Sequence, residues 1–227
     1  MRNEARAARR LCGLYAVTPE APDTRWLAAR VEECIAGGAA LVQYRAKNAS
    51  AGLALEQARR LAAVCRAAGV PLIVNDSIDL AIAAGADGVH LGRDDAGVAS
   101  ARAAFPTAII GVSCYADAGR ARAAALAGAD YIAVGSMFAS STKPAAQRAS
   151  LEILKAAKEV SALPVAAIGG ITLDNAPRLV AAGADLVAVI AALFEAADVR
   201  GAARSFASLF AQVPEGNVDL RAQPRAF

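Results

Sequence analysis

Eight short apolar, β-branched runs recur along this chain, each separated from the next by a longer alanine-rich stretch with helical periodicity. The runs are 11–17, 40–44, 71–75, 88–91, 108–112, 131–134, 164–168 and 186–190. Between and after them the spacing predicts helices near 24–36, 52–67, 77–84, 96–104, 116–127, 149–160, 174–182 and 195–212. A helix after every strand is a crossover, so consecutive strands must run parallel. Eight such units without interruption predict an α/β protein of the (β/α)8 TIM-barrel type, with a closed sheet favoured over an open one.

An internal repeat agrees with this. Ala84-Gly85-Ala86-Asp87, Ala127-Gly128-Ala129-Asp130 and Ala182-Gly183-Ala184-Asp185 each precede an apolar run, and Gly37-Gly38-Ala39-Ala40 is a weaker copy. Glycine there tolerates the left-handed backbone that ends a helix before the chain turns into a buried strand. The copies stand before runs two, four, six and eight, the trace of a barrel assembled from paired units. These glycines are expected to build the floor of the barrel, away from its chemistry.

The 227 residues are 56% apolar, enough for one sizeable core. A single barrel domain is expected over 11–212, preceded by a short N-terminal helix over 1–10 and followed by a flexible tail over 213–227. The first segment places Arg2, Arg6, Arg9 and Arg10 among alanines; the last has Pro214, Gly216 and Pro224 with little periodicity. A net charge of +3 is too mild for nucleic-acid wrapping. Charged residues interrupt every apolar stretch before the roughly 20 residues needed to span a bilayer. Cys12, Cys34, Cys65 and Cys114 are scattered through apolar surroundings without a C-x-x-C pair, which favours buried free thiols and a reducing, cytoplasmic setting. Oligomeric state is not encoded legibly, and a homo-oligomer stays open.

Barrel enzymes place chemistry at the carboxyl ends of their strands. Alternation in the second strand sends Gln43, Arg45 and Lys47 to one side. Asn75-Asp76 follows run three, Arg93-Asp94-Asp95 run four, Ser113 run five, 136–143 run six and Ile190-Ala191 run eight. Bases beside carboxylates point to a diphosphate–metal site. Asp76 and Asp95 fit magnesium, which takes one or two carboxylates and completes its shell with waters and phosphate oxygens. Neither comes with the Cys or His spacing of a zinc site. Each has a competing role as the N-cap of the helix that follows. Gly169-Gly170, after run seven, would let backbone N–H groups approach a phosphate monoester. The single His, His90, lies within a strand, where packing or hydrogen bonding in the barrel is favoured over proton transfer.

Six segments together resemble one family. They are Leu14 to Pro19, Val42 to Lys47, Leu72 to Asp76, Gly88 to Asp95, Gly111 to Ser113 and Ala167 to Thr172, in order over all eight units. They are similar to thiamine phosphate synthase. The resemblance implies a transferase of thiamine biosynthesis that condenses 4-amino-2-methyl-5-(diphosphooxymethyl)pyrimidine with thiazole phosphate, giving thiamine phosphate and pyrophosphate. It assigns Gln43, Tyr44, Arg45, Ala46, Lys47, Asn75, Ser113 and Lys143 to the pyrimidine diphosphate, with Arg45, Lys47, Lys143 and Ser113 as the catalytic group. It gives Asp76 and Asp95 to Mg²⁺, places Asp94 at the surface, and assigns Ser140, Ser141, Thr142, Gly170, Ile190 and Ala191 to the thiazole phosphate.

Departures exist within the resemblance. Ser140 stands where Thr is frequent, Arg93 where Gln is common and Ala191 where Ser is frequent. The implied partners are small molecules, with no nucleic acid and no membrane. The implied reaction is a dissociative displacement: pyrophosphate leaves the pyrimidine's methylene, and the thiazole nitrogen captures the cation left behind. Two other readings stay open, a tautomerase or regulatory barrel of the same lineage and a phosphate-binding barrel without turnover. The Asn75, Asp76 and Asp95 set argues for the synthase.

Overall fold

Each apolar run pairs in parallel with its neighbour in sequence, and the last pairs back onto the first, closing the barrel that the alternation predicts. The computed structural model describes residues 11–139 and 147–211. The N-terminal helix over 1–10, the tail over 213–227, and Ser140, Ser141, Thr142 and Lys143 lie outside the described residues. The strands are β1 (Gly13–Val17), β2 (Ala39–Tyr44), β3 (Leu72–Asn75), β4 (Gly88–Leu91), β5 (Ile109–Tyr115), β6 (Tyr131–Val134), β7 (Val165–Ile168) and β8 (Leu186–Val189). The helices are α1 (Thr24–Ala36), α2 (Ala51–Ala68), α3 (Ile78–Ala84), α4 (Val98–Ala104), α5 (Ala118–Leu126), α6 (Leu151–Ser161), α7 (Ala176–Ala181), α8 (Ala191–Phe194) and α9 (Val199–Ala211).

Two elements depart from expectation. β5 continues to Tyr115, past the expected end at 112, because the pairing with β6 shifts register between Ser113 and Tyr115 and the bulge carries the strand onward. Where a loop was expected after β8, the residues Ala191 to Phe194 make one helical turn, and the long closing helix starts only at Val199.

Strand alternation sorts the side chains into two layers. Leu14, Ala16, Val42, Val74, Val89, Ile132, Val165 and Val187 face outward into the layer shared with the helices. Tyr15, Val17, Leu41, Ile73, Tyr131, Ala133, Ala166, Leu186 and Ala188 fill the barrel itself. Gly111, on the inner face of β5, is required by a close approach: a Cβ there would strike the ring of Tyr131.

The three full copies of the repeat prove to be staples. Asp87 accepts the N–H of Leu72 (2.9 Å), Asp130 that of Ile110 (2.8 Å) and Asp185 that of Val165 (2.9 Å), each at the start of the preceding strand. The backbone N–H of each Asp in turn donates to the carbonyl of the same residue. A base from the helix two elements earlier completes each unit: Arg66 donates to Gly85 O, Arg102 to Gly128 O and Asp130, and Lys158 to Gly183 O and Asp185. The weak copy before β2 has no Asp and no such staple. Asp130→Ala would orphan the Ile110 N–H and remove the carboxylate partner of Arg102, which keeps its bonds to the Pro106, Ala108 and Gly128 carbonyls. Urea unfolding is expected to show a loss of about 2 kcal/mol, with the KM for substrates at the opposite end of the barrel unchanged.

Candidate active site

At the carboxyl ends of the strands lies a cavity of about 490 Å³, lined by Gln43, Arg45, Asn75, His90, Arg93, Ser113, Tyr115, Ser136 and Gln147, among others. The loop after β2 that brings Arg45 and Lys47 to its rim is held by residues after β1. Buried Thr18 accepts the Arg45 N–H at 2.9 Å, and Glu20 accepts the Lys47 N–H at 2.7 Å. These two anchors fix the backbone at the rim without using either basic side chain. Tyr44 and Ala46 lie elsewhere: the Tyr44 hydroxyl donates to Gln57 on α2 at 2.8 Å, and both side chains pack with the helix layer.

The acids meet on the adjoining part of the rim. Asp76 sits in the left-handed region at φ 66°, and its N–H donates to His90 O at 2.8 Å. It does not cap α3; that role falls to Ser77, which accepts from Leu80 N. Nor does Asp95 cap α4, whose N-cap is Gly97; Asp95 Oδ2 instead accepts the Gly92 N–H at 2.6 Å. The two carboxyl groups lie within hydrogen-bonding reach of each other. Lys47 Nζ stands 3.1 Å from Asp76 Oδ2. Asp94 is exposed yet borders the cavity.

Loss of water around Asp95, and then the neighbouring Asp76 carboxyl, push its pKa above the ordinary carboxylate value, against the Gly92 N–H and the Lys47 ammonium. Two carboxylates beside one lysine leave uncompensated negative charge with an oxygen-only donor set. That suits a hard divalent cation that keeps water or phosphate in its remaining positions. Among the described residues no cluster of three or more His, Cys, Asp or Glu competes for a metal.

A second cavity of about 200 Å³ opens between the ends of β7 and β8, lined by Ala139, Gly169, Gly170, Thr172, Ile190 and Ala191, among others. Gly169 and Gly170 adopt φ 104° and 61°, and Cβ atoms there would strike Ser136 and Ala139. The close approach comes from pairing with the strand-six loop, where Phe138 N donates to Gly169 O at 2.9 Å. Asn175 fastens the turn from the other side, donating to Gly170 O and accepting from Thr172 N.

Across the barrel beneath the larger cavity runs a row of hydrogen bonds. Gln43 Nε2 donates to the Tyr15 hydroxyl at 2.7 Å, which lies 2.7 Å from the Tyr131 hydroxyl. Tyr131 lies 2.9 Å from His90 Nδ1, and His90 Nε2 2.9 Å from Ser113 Oγ. His90 is thus held by hydrogen bonds inside the barrel, as its strand position implies. Tyr15, Tyr131 and Tyr115 escaped the sequence reading, although strand parity places the first two on the inner face with Gln43. Tyr115, at φ 56° past the β5 bulge, receives the Arg93 N–H on its hydroxyl, and the Arg93 and Arg120 guanidinium groups lie 4.9 and 5.6 Å from its ring centre.

The acid pair yields a test that needs no ligand. A raised carboxyl pKa means that ionising Asp95 costs stability, so that without divalent cations this contribution is lost as pH rises through the interval above the ordinary carboxylate value. Asp95→Asn is expected to raise the thermal midpoint at neutral pH, by about 2–4 °C per kcal/mol of repulsion relieved. The gain should vanish near about pH 3, where the parent carboxyl is already protonated.

A family model described as thiamine monophosphate synthase matches residues 14–193. The thiamine-phosphate synthase of Aromatoleum aromaticum is 53% identical over 202 residues, covering 88% of this chain and 97% of that protein. That of Thiobacillus denitrificans is 55% identical over 204 residues, covering 89% and 97%. Among solved structures, a thiamine phosphate pyrophosphorylase from Pyrococcus furiosus superposes with a TM-score of 0.80 at 35% identity, covering 89% of this chain and 96% of that one. A 3-hexulose-6-phosphate synthase, at 21% identity and a TM-score of 0.65, shares the fold. With the closed barrel in agreement, the chain belongs to the thiamine monophosphate synthase family and is a transferase of thiamine biosynthesis.

Proposed function

We propose that the larger cavity receives the aminopyrimidine with its diphosphate toward Arg45 and Lys47, and that the smaller one receives the phosphate of the thiazole partner. The observation that carries this reading is the meeting of Asp76, Asp95 and Lys47 at the rim of the larger cavity. Arg45 and Asn75 line the same cavity and complete a cradle of donors for phosphate oxygens. Lys143, outside the described residues, is assigned to the same leaving group. Asp76 and Asp95 would hold Mg²⁺, which supplies charge neutralisation for a departing diphosphate.

The chain's own residues then have three tasks. Arg45, Lys47 and Lys143 bind the diphosphate and stabilise its growing charge as the carbon–oxygen bond to the methylene breaks. Gln43 and Ser113 orient the pyrimidine ring whose amino group delocalises the resulting cation. The glycine turn at Gly169-Gly170 and the Ile190-Ala191 backbone, with Ser140 to Thr142, hold the thiazole phosphate so that the ring nitrogen faces that cation. The nitrogen lone pair needs no base, so His90 has no proton to take. Ala191 offers the phosphate its backbone N–H alone. A cytoplasmic site of action accords with four free cysteines, of which Cys34, Cys65 and Cys114 are buried and Cys12 partly so. No helix of the described residues is long and apolar enough to cross a membrane.

Mixing the purified chain with both substrates and Mg²⁺ is expected to release pyrophosphate, whereas a barrel that only binds phosphate would release none. Asp76→Ala should abolish that release while the circular-dichroism spectrum stays that of the parent. Arg45→Ala should weaken the pyrimidine diphosphate by roughly tenfold or more, as loss of a charge-assisted contact implies, and leave thiazole phosphate binding near the parent value. Equal loss of both would contradict the division of the rim into two subsites.

A further inference from the structure

The row Gln43–Tyr15–Tyr131–His90–Ser113 spans the barrel from β2 to β5. Gln43, Tyr15, His90 and Ser113 line the larger cavity, and Tyr131 is fully buried beneath it. Each phenol has one proton to donate. Burial pushes both Tyr15 and Tyr131 well above the ordinary tyrosine range, so neither surrenders that proton.

The direction of the row follows from the orientation of the Gln43 amide together with proton counting. Tyr15 accepts from the Gln43 amide nitrogen, so its own proton goes to the oxygen of Tyr131. The Tyr131 proton then goes to His90 Nδ1. That nitrogen acts as an acceptor, so the ring proton sits on Nε2 and donates to Ser113 Oγ. The Ser113 hydroxyl proton is thereby freed for the cavity, while Gln43, its nitrogen engaged, presents its carbonyl oxygen. Turning the Gln43 amide over would reverse every bond and exchange the two roles. Reversing only part of the row would leave a buried donor facing a donor, at the full cost of an unmade hydrogen bond.

We propose that Tyr15, Tyr131 and His90 are positioning residues that tie the amide of Gln43 to the hydroxyl of Ser113, so that the cavity presents an acceptor at Gln43 and a donor at Ser113 rather than the reverse. This rests on the reading that Gln43 and Ser113 face the pyrimidine. The matching ligand is an aminated heteroaromatic ring, whose exocyclic N–H meets the Gln43 oxygen and whose ring nitrogen accepts from Ser113. A ring bearing a carbonyl in place of the amine meets the wrong sense at Gln43. Gly111 belongs to the device, since it clears the space that the Tyr131 ring occupies.

The chain has one His, so nitrogen-15 labelling of histidine gives a single imidazole to observe by NMR in the full-length protein. The neutral ring protonated at Nε2 is expected. An imidazolium, or a ring protonated at Nδ1 alone, at the pH of the assay would overturn the proposal without any variant. Tyr131→Phe removes the donor to Nδ1, and the ring is expected to move toward a mixture of both neutral tautomers. Its KM for the pyrimidine diphosphate should rise about five- to tenfold, with the KM for thiazole phosphate within about twofold. A residue that only fills space would move neither tautomer nor KM, and that result sinks the relay. Gln43→Ala and Ser113→Ala separate the two layers of the argument. If neither raises the pyrimidine KM, the reading of the cavity is what fails. If both do and Tyr131→Phe does not, the row fails alone.

Discussion

Closure of the sheet is the constraint from which the rest follows. Because β8 pairs with β1, no strand is left with an unpaired edge, and every strand residue is assigned either to the barrel interior or to the helix layer. That assignment is what makes Gln43, His90, Tyr131 and Tyr15 neighbours although they come from four strands spread along the chain. It also sends Tyr44, one position from Gln43, into the opposite layer. A shift of one residue in any register would exchange the two populations and dismantle the polar row and the hydrophobic layer at once.

Above that frame the rim is organised by charge. The loop after β2 is held by Thr18 and Glu20 at its backbone, so the Arg45 and Lys47 side chains are not what braces it, and Lys47 reaches Asp76 instead. The acids are held differently. Asp76 occupies a left-handed conformation fixed by its N–H to His90 O, and Asp95 is tied to Gly92, so the carboxyl groups are held close despite their mutual repulsion. The Lys47 ammonium, 3.1 Å from Asp76, offsets part of that repulsion, and the raised Asp95 pKa reports the loss of water there together with what is left of it.

Much of this was legible in the sequence, for identifiable reasons. Strand existence was clear because short apolar, β-branched runs recur eight times between alanine-rich stretches, and the first helix, Thr24–Ala36, matches its periodicity to the residue. The strand-end rule brings Arg45, Lys47, Asp76 and Asp95 to one rim from the order of residues alone. The turn at Ala191–Phe194 was hidden because four residues are too few to display a helical period. The extension of β5 was hidden because a bulge is a matter of pairing, which a single strand does not record. The partnership of Tyr15 with Tyr131 joins residues 116 positions apart, and only closure brings them together. The repeat was read through its glycines, whereas its aspartates do the stapling, a role that needs the neighbouring strand to be seen.

Those aspartate staples lie where the strands begin, and the reactive groups lie where the strands finish. The molecule therefore separates cohesion from chemistry along one axis, with the polar row and the apolar filling between them. Descendants of such a chain could exchange loops at the reactive end, and with them substrates, while inheriting the fastened floor intact. The 3-hexulose-6-phosphate synthase shares the fold at 21% identity, and a common fold does not by itself carry a common chemistry.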